Sequence, residues 1–475
     1  MQNGKSLYTP RAHSLDALRG FAILTMVLSG VIPYGVLPAW MYHAQLPPPE
    51  HTFNPNLPGL TWVDLVFPLF LFALGAAIPL ALSRRLEKRV PGYKLVISII
   101  ERGALLAVFA ILLRHVRPHV LDPQPETQHW MIALLGFVLM MLIFTRLPDA
   151  WPRKTRRVIR FCGWMGAMIL LALLRYPDGS GFSPGRSDII ILVLANVYVF
   201  GSLIWLATRH RLLLRLGVLG LLLALRLAHT APGWTEWLWS ASPVPWLYKM
   251  TYLQYLFIVI PGTLVGDLLQ SHMQKDLPAD ANAAHWSSRR FLVLVLLCIS
   301  FVAVLLIGMQ VRWLWQTTVV AMVMSAVGFA LVVNPLTRFE SHLKSLFGWG
   351  GYWLLLGLIL EPFEGGIKKN DSTLSYYFIT TGLAIFILIA FSIVIEVFNK
   401  KPAMQLLIDN GKNPMIAYVG FANLIWPVLA LTGLDQVMIS LTPTPWMGVL
   451  RGVLYTLLLA FIVQFLTKIK CIWRT

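Results

Sequence analysis

The sequence predicts an all-α, polytopic transmembrane helix bundle of about 11 to 14 spans, with the N-terminus and C-terminus both cytoplasmic. Three observations carry that prediction. Of 475 residues, 57% are hydrophobic and 13% charged, whereas a soluble globular chain carries about 25% charged residues. The mean hydropathy of +0.68 leaves too little polar surface for a water-exposed fold, and it also excludes disorder, which needs low hydrophobicity. Finally, apolar runs of bilayer-crossing length recur along the whole chain, each about 20 residues.

In order, those runs are 14–36, 61–83, 95–115, 130–147, 158–175, 188–208, 212–230, 250–270, 290–310, 313–334, 345–361, 374–397, 415–434 and 446–467. The runs 158–175 and 345–361 are short, and the link between 290–310 and 313–334 is tight, which sets the lower bound of the count. Lys and Arg orient them. With the N-terminus inside, 27 of the 39 basic residues fall in inner segments, 8 in outer loops and 4 within spans, the asymmetry expected of cytoplasmic loops. The same asymmetry accounts for most of the net charge of +18, so no nucleic-acid partner is implied. The first apolar run is too long for a cleavable signal and no A-x-A site follows it, so it is expected to stay as the first helix. No soluble module or internal repeat interrupts the series, and residues 1–475 read as a single membrane domain.

Cys162, Cys298 and Cys471 lie in or beside apolar segments, which excludes a disulfide framework and a CxxC metal site. No metal is expected. P-loop, HExxH, GxSxG and GxGxxG motifs are also missing from any context that would give them meaning. The outer side is different in character. Residues 37–60 carry no Lys or Arg and a run of prolines, and His43, His51, His115, His119 and His129 gather in the first two outer loops. The tryptophans at 234, 237, 239 and 246 with Tyr248 form either an interfacial aromatic belt or a sugar-stacking platform.

Ionisable groups within apolar spans cost about 2.5–3.5 kcal/mol each on insertion scales and so are functional candidates. Here they are Asp16, Arg19, Asp64, Glu101, Arg102, Arg226, Asp267, Glu361 and Arg451. Asp16 and Arg19 share one helical face and can pair. Asp64, just inside the outer end of its span, either orients an imidazole or caps a helix. Arg102 suits an anionic group such as a phosphate. A loop imidazole such as His43 can deprotonate an incoming amine or hydroxyl. Taken alone, these residues leave an enzyme and a transporter equally open.

Two stretches carry a family resemblance. The first runs from SLDALRGFAILTMVL (14–28) through YHA (42–44) to GLTWVDLVFPLFLFALGAAIPLALS (59–83); the second joins EGGIKKNDSTLSYYFITTGLA (364–384) to NGKNPMIAYV (410–419). The signature regions 14–83 and 364–419 resemble the heparan-alpha-glucosaminide N-acetyltransferase family of transmembrane acyltransferases, while 150–345 matches it poorly. The resemblance implies transfer of an acetyl group from cytoplasmic acetyl-CoA to an amino sugar or glycan beyond the membrane. It puts the essential histidine at His43, by its alanine neighbour, with His51 as the alternative because an inserted LPPPEHTFNP separates His43 from Asp64. Asp64 would orient the imidazole. Arg19 and Arg102 would hold the acetyl-CoA phosphates, and Asp16, Lys368, Lys369, Asn370 and Asn413 would be substrate-binding positions. A departure stands at Ser29 and Gly30, where the family has an asparagine. The expected partners are membrane lipids and the acceptor, with a homodimer as the oligomer, and the expected location is a bacterial inner membrane. The rival readings are O-acylation of a surface polysaccharide or lipid-linked sugar, and transport without acyl chemistry.

Overall fold

The computed structural model describes residues 12–274 and 285–475. Lys5, Arg11 and Lys275, counted above among the inner basic residues, lie outside them. All fourteen apolar runs are helical. They form α1 (His13–Val31), α2 (Trp62–Glu87), α3 (Gly92–His115), α4 (Thr127–Phe144), α5 (Arg153–Leu173), α6 (Ile189–Thr208) and α7 (Leu212–Ala228). The series continues with α8 (Met250–Met273), α9 (Ser288–Gln310), α10 (Leu314–Val332), α11 (Arg338–Ile359) and α12 (Leu374–Val397). A short α13 (Lys401–Lys412) precedes α14 (Pro414–Thr432) and α15 (Pro445–Lys468).

Eleven of these helices are long and apolar enough to cross a membrane, so the chain is an integral membrane protein. The other three long helices, α5, α7 and α11, each fall short for a visible reason. The first turns of α5 read RKTRRVIR, and only Gly163 and Ala167 of that helix are buried. In α7 there are 17 residues, two of them buried arginines, and α11 opens on RFESHLK.

Between membrane helices the hydrophobic effect does little, so packing rests on close backbone approach at small residues. Gly75 of α2 and Gly262 of α8 meet at one such crossing, where a Cβ on either would strike the other helix's backbone. Gly20 of α1 and Gly411 of α13 make another. The second crossing matters for the site, because it seats the first turns of α1 against the segment before α14. Asn413, fully buried there, donates Nδ2 to the Cys471 carbonyl at 2.8 Å and accepts from the Trp473 amide at 3.2 Å. The start of α1 and the C-terminal segment therefore share one end of the bundle. The loops 32–61 and 360–373 lie at the other.

Candidate functional site

Asp64 is the organising residue of that second end. It is the third helical residue of α2 and forms a capping box with Thr61. One carboxylate oxygen, Oδ2, accepts from the Ala44 amide, the Thr61 amide and the Thr61 hydroxyl, all at 3.1 Å. The other, Oδ1, stands 2.7 Å from Nδ1 of His43. Both meanings left open for Asp64 are thus present together: it caps α2 and it holds an imidazole. An ionised carboxylate can only accept, so the Nδ1 nitrogen of His43 carries a proton, and in the neutral ring the lone pair is on Nε2. That is the tautomer a general base requires. Asp64 is 2% exposed and His43 36%, so the pair is anchored on its buried side and open on the other.

Lys369 completes the cluster. Its Nζ lies 3.1 Å from Nδ1 and 3.3 Å from Nε2 of His43, and 4.0 Å from Asp64 Oδ1. A point that close to both ring nitrogens sits over the ring, because in-plane positions would overlap ring carbons. Nε2 therefore remains open at its edge. Burial pulls the Lys369 ammonium below its ordinary value of 10.5, and the Asp64 carboxylate opposes that pull.

The loop carrying Lys369 is fixed from several sides. Gln45 reads the Asn370 backbone in both directions, accepting from its amide at 2.7 Å and donating to its carbonyl at 3.0 Å. Gly59 donates to Ile367 at 2.8 Å. Two arginines clamp the same loop, one from α7 and one from the turn between α9 and α10. Arg226 of α7 pairs with Glu364 at 2.8 Å and donates to the Ser372 carbonyl at 2.5 Å, and Arg312 pairs with Glu361 at 2.7 Å. The composition had marked Arg226 and Glu361 as expensive, but only the fold assigns them this task.

His51 is placed elsewhere. Its ring stacks on Tyr34 at 3.7 Å and donates Nδ1 to the Leu46 carbonyl at 2.9 Å, inside the proline-rich loop. Asn370 contributes its backbone, with its side chain exposed, and Lys368 is half-buried with no side-chain partner among the described residues. His129 accepts from the Glu126 amide at the start of α4, a structural use. Asp267 is also structural, binding Arg215 at 2.6 Å and Trp205 at 2.9 Å.

Asp16, Arg19, Arg102 and Asn413 belong to the opposite end. Asp16 and Asn413, read from the motifs as substrate-binding positions, are there because α1 begins at that end and α14 rises from it. Arg19 bridges helices, donating to Gly411 at 3.1 Å and approaching Asp16 at 3.5 Å. Arg102 is exposed and lies over the Tyr198 ring at 4.7 Å. Both line a cavity of about 410 Å³ between α1, α2, α3, α6 and α14, with Lys412 and Arg474 also in its wall. Between these cations the wall is apolar, formed by residues such as Ile23, Phe70, Leu74 and Leu106. A basic rim over an apolar throat fits an anionic head with a thin, less polar arm. His43, Asp64 and Lys369 do not line this cavity. Among the described residues no group of His, Cys, Asp and Glu is arranged to hold a metal ion.

Residues 11–269 match the model of a family described as a domain of unknown function, DUF5009. The chain belongs to the DUF5009 family. This DUF5009 chain is also 33% identical, over 109 residues, to the heparan-alpha-glucosaminide N-acetyltransferase of Homo sapiens. The aligned stretch is 23% of the chain and spans 14% of the human protein's length. The similarity supports a distant, acyltransferase-like relationship.

Proposed function

We propose that this DUF5009 protein is a membrane acyltransferase that moves an acetyl group from acetyl-CoA, entering from the cytoplasm, to an amino sugar or glycan on the outer side. The observation that carries the reading is the His43–Asp64 contact, which holds a partly exposed imidazole by Nδ1 and, in the neutral ring, leaves Nε2 to accept a proton. His43 takes a proton from the acceptor amine as its nitrogen attacks the thioester carbonyl. The C–N bond forms, the C–S bond breaks, and the proton on His43 passes to the departing thiolate. In the covalent variant Nε2 itself attacks, the thiolate leaves, and the amine then displaces the imidazole. Asp64 fixes the tautomer and steadies the positive ring. Lys369, over the ring, offers a donor to the carbonyl oxygen where negative charge develops.

Arg102 and Arg19 receive the donor's phosphates, and the apolar throat takes the pantetheine arm. Phe70, in the cavity wall, stands six residues along α2 from Asp64, about 9 Å of helix rise. The α1–α2 contact between them has to open for the thioester to reach His43. The cytoplasmic placement of both termini and a bacterial inner membrane belong to this reading, as does the homodimer.

The test is acetyl transfer to glucosamine by detergent-purified protein. His43→Ala is expected to lower the rate by at least about a thousandfold, the scale of general-base loss, while the protein still elutes as a folded particle. His51→Ala is expected to retain activity. The reverse pattern would move the base to His51.

One observation favours a second reading. The inner cavity shares Met26, Ile190 and Tyr418 with a larger cavity on the outer side, an arrangement that suits passage of a solute. Solute uptake into proteoliposomes without acetyl-CoA, undiminished in His43→Ala, would establish transport instead.

A further inference from the structure

The larger cavity has a volume of about 990 Å³ and is built by the outer ends of α1, α3, α6 and α14 together with the loop 176–188. We infer that it is a binding site for a sugar-sized solute bearing a carboxylate or phosphate, separate from the His43 cluster and independent of acyl chemistry. Arg114, Arg117 and Arg186 all stand in its wall.

Two of these arginines are already engaged. Arg186 packs over the Tyr176 ring at 3.5 Å and pairs with Asp178 at 3.1 Å. Arg117 faces Asp188 at 3.6 Å, but that carboxylate is heavily shared. Asp188 caps α6 through the amides of Ile190 and Ile191 at 3.1 and 3.2 Å and accepts the Tyr418 hydroxyl at 3.1 Å. Arg114, in the last turn of α3 and half-buried, has no hydrogen bond or ion pair among the described residues. A half-buried guanidinium with no counter-charge in a cavity wall is free to make a charge-assisted contact with an anionic ligand.

The rest of the wall fits a polar ligand of sugar size. Ser183 and Ser187 supply hydroxyls and Trp426 an indole face. Gly30 keeps the space open: a Cβ there would meet nothing within 4 Å, so a larger side chain would project into the void. Pockets of about 300–1,000 Å³ are the range that holds small molecules. Cations, hydroxyls and an aromatic face together select an anionic sugar over a neutral one.

The experiment is calorimetric titration of the full chain in zwitterionic phosphatidylcholine nanodiscs, without acetyl-CoA, using glucuronate, glucose 6-phosphate and glucose as probes. Glucuronate or glucose 6-phosphate is expected to bind at least about tenfold more tightly than glucose, the factor of one charge-assisted contact. Arg114→Gln should remove that preference, and Gly30→Leu should abolish binding of all three at an unchanged melting temperature. Arg153→Gln, at the exposed start of α5 and in neither cavity, should leave the titration unaltered. Equal affinity for glucose and the anions, or anion binding that survives both Arg114→Gln and Gly30→Leu, would overturn the proposal. Displacement of glucuronate by phosphatidylglycerol in the nanodisc would assign the site to a lipid headgroup and overturn it equally. Because none of the probes carries an amine and no donor is present, the result is independent of whether the chain transfers acetyl groups.

Discussion

The two ends of this molecule handle charge in opposite ways. At the His43 end the polar groups are held by partners from distant segments: Asp64 by four donors, Gln45 by Asn370, and the Lys369 loop by Arg226 and Arg312. The result is a closed, pre-set cluster. At the other end Arg102 is exposed and lies over the Tyr198 ring, beside an apolar throat. The first arrangement suits chemistry, which needs reacting groups held in one geometry. The second suits a ligand that supplies the missing charge itself. Mutations at the two ends should therefore fail differently, those around His43 in rate and those around Arg102 in affinity.

The sharpest way to break that contrast is Asp64→Asn. The Oδ2 position meets three donors, so the asparagine's carbonyl oxygen is drawn there and its amide nitrogen is turned toward His43. An amide nitrogen facing Nδ1 can only donate, which moves the ring proton to Nε2 and removes the base. The expected loss in turnover is about a hundredfold or more, on the scale of a misplaced catalytic proton. Acetyl-CoA affinity should stay within about twofold, since sites that share no partners behave independently. A variant that lost donor affinity instead would merge the two ends into one site.

Lys369 gives a smaller, pH-dependent effect. Its ammonium titrates below the ordinary 10.5 because burial penalises the charge. The charged form is the one that can donate to a developing oxyanion, so activity should fall as pH rises through that lowered value. Lys369→Arg keeps its charge at every accessible pH and should remove the alkaline limb of the profile, at a cost in rate on the plateau of about tenfold from altered geometry. An alkaline limb unchanged in the arginine variant would separate Lys369 from the chemistry.

Much of this was legible in the chain, and the residues say why. Span positions follow from apolar runs, which is a local property, and all fourteen runs are helical. Asp64 stood out because a carboxylate in TWVDLVFPLF is expensive. Its choice between His43 and His51 was not legible. It depends on how the proline-rich loop folds back, and that in turn depends on Gln45 meeting Asn370 from the far end of the chain. The clamps at Arg226 and Arg312 were hidden for the same reason. Arg114 was passed over as one of eight outer-loop cations, because charge patterning counts such residues without showing which ones find partners.

The smallest expected effect tests the inner end. In the proposed function Arg102 meets the donor from an exposed position over Tyr198, with Arg19, Lys412 and Arg474 sharing the same wall. Loss of one of four cations removes one charge-assisted contact and leaves the rest, so Arg102→Gln should weaken acetyl-CoA binding by about five- to tenfold. The turnover number at saturating donor should not change, because His43 and Asp64 are untouched. Added salt should narrow the gap between wild type and variant, since a solvated ion contact is screened within about 8–10 Å. Calorimetry at two ionic strengths measures both quantities. A variant whose affinity matches wild type at low salt would take the phosphates away from this rim, and the outer cavity, with three arginines of its own, would become the next place to look for them.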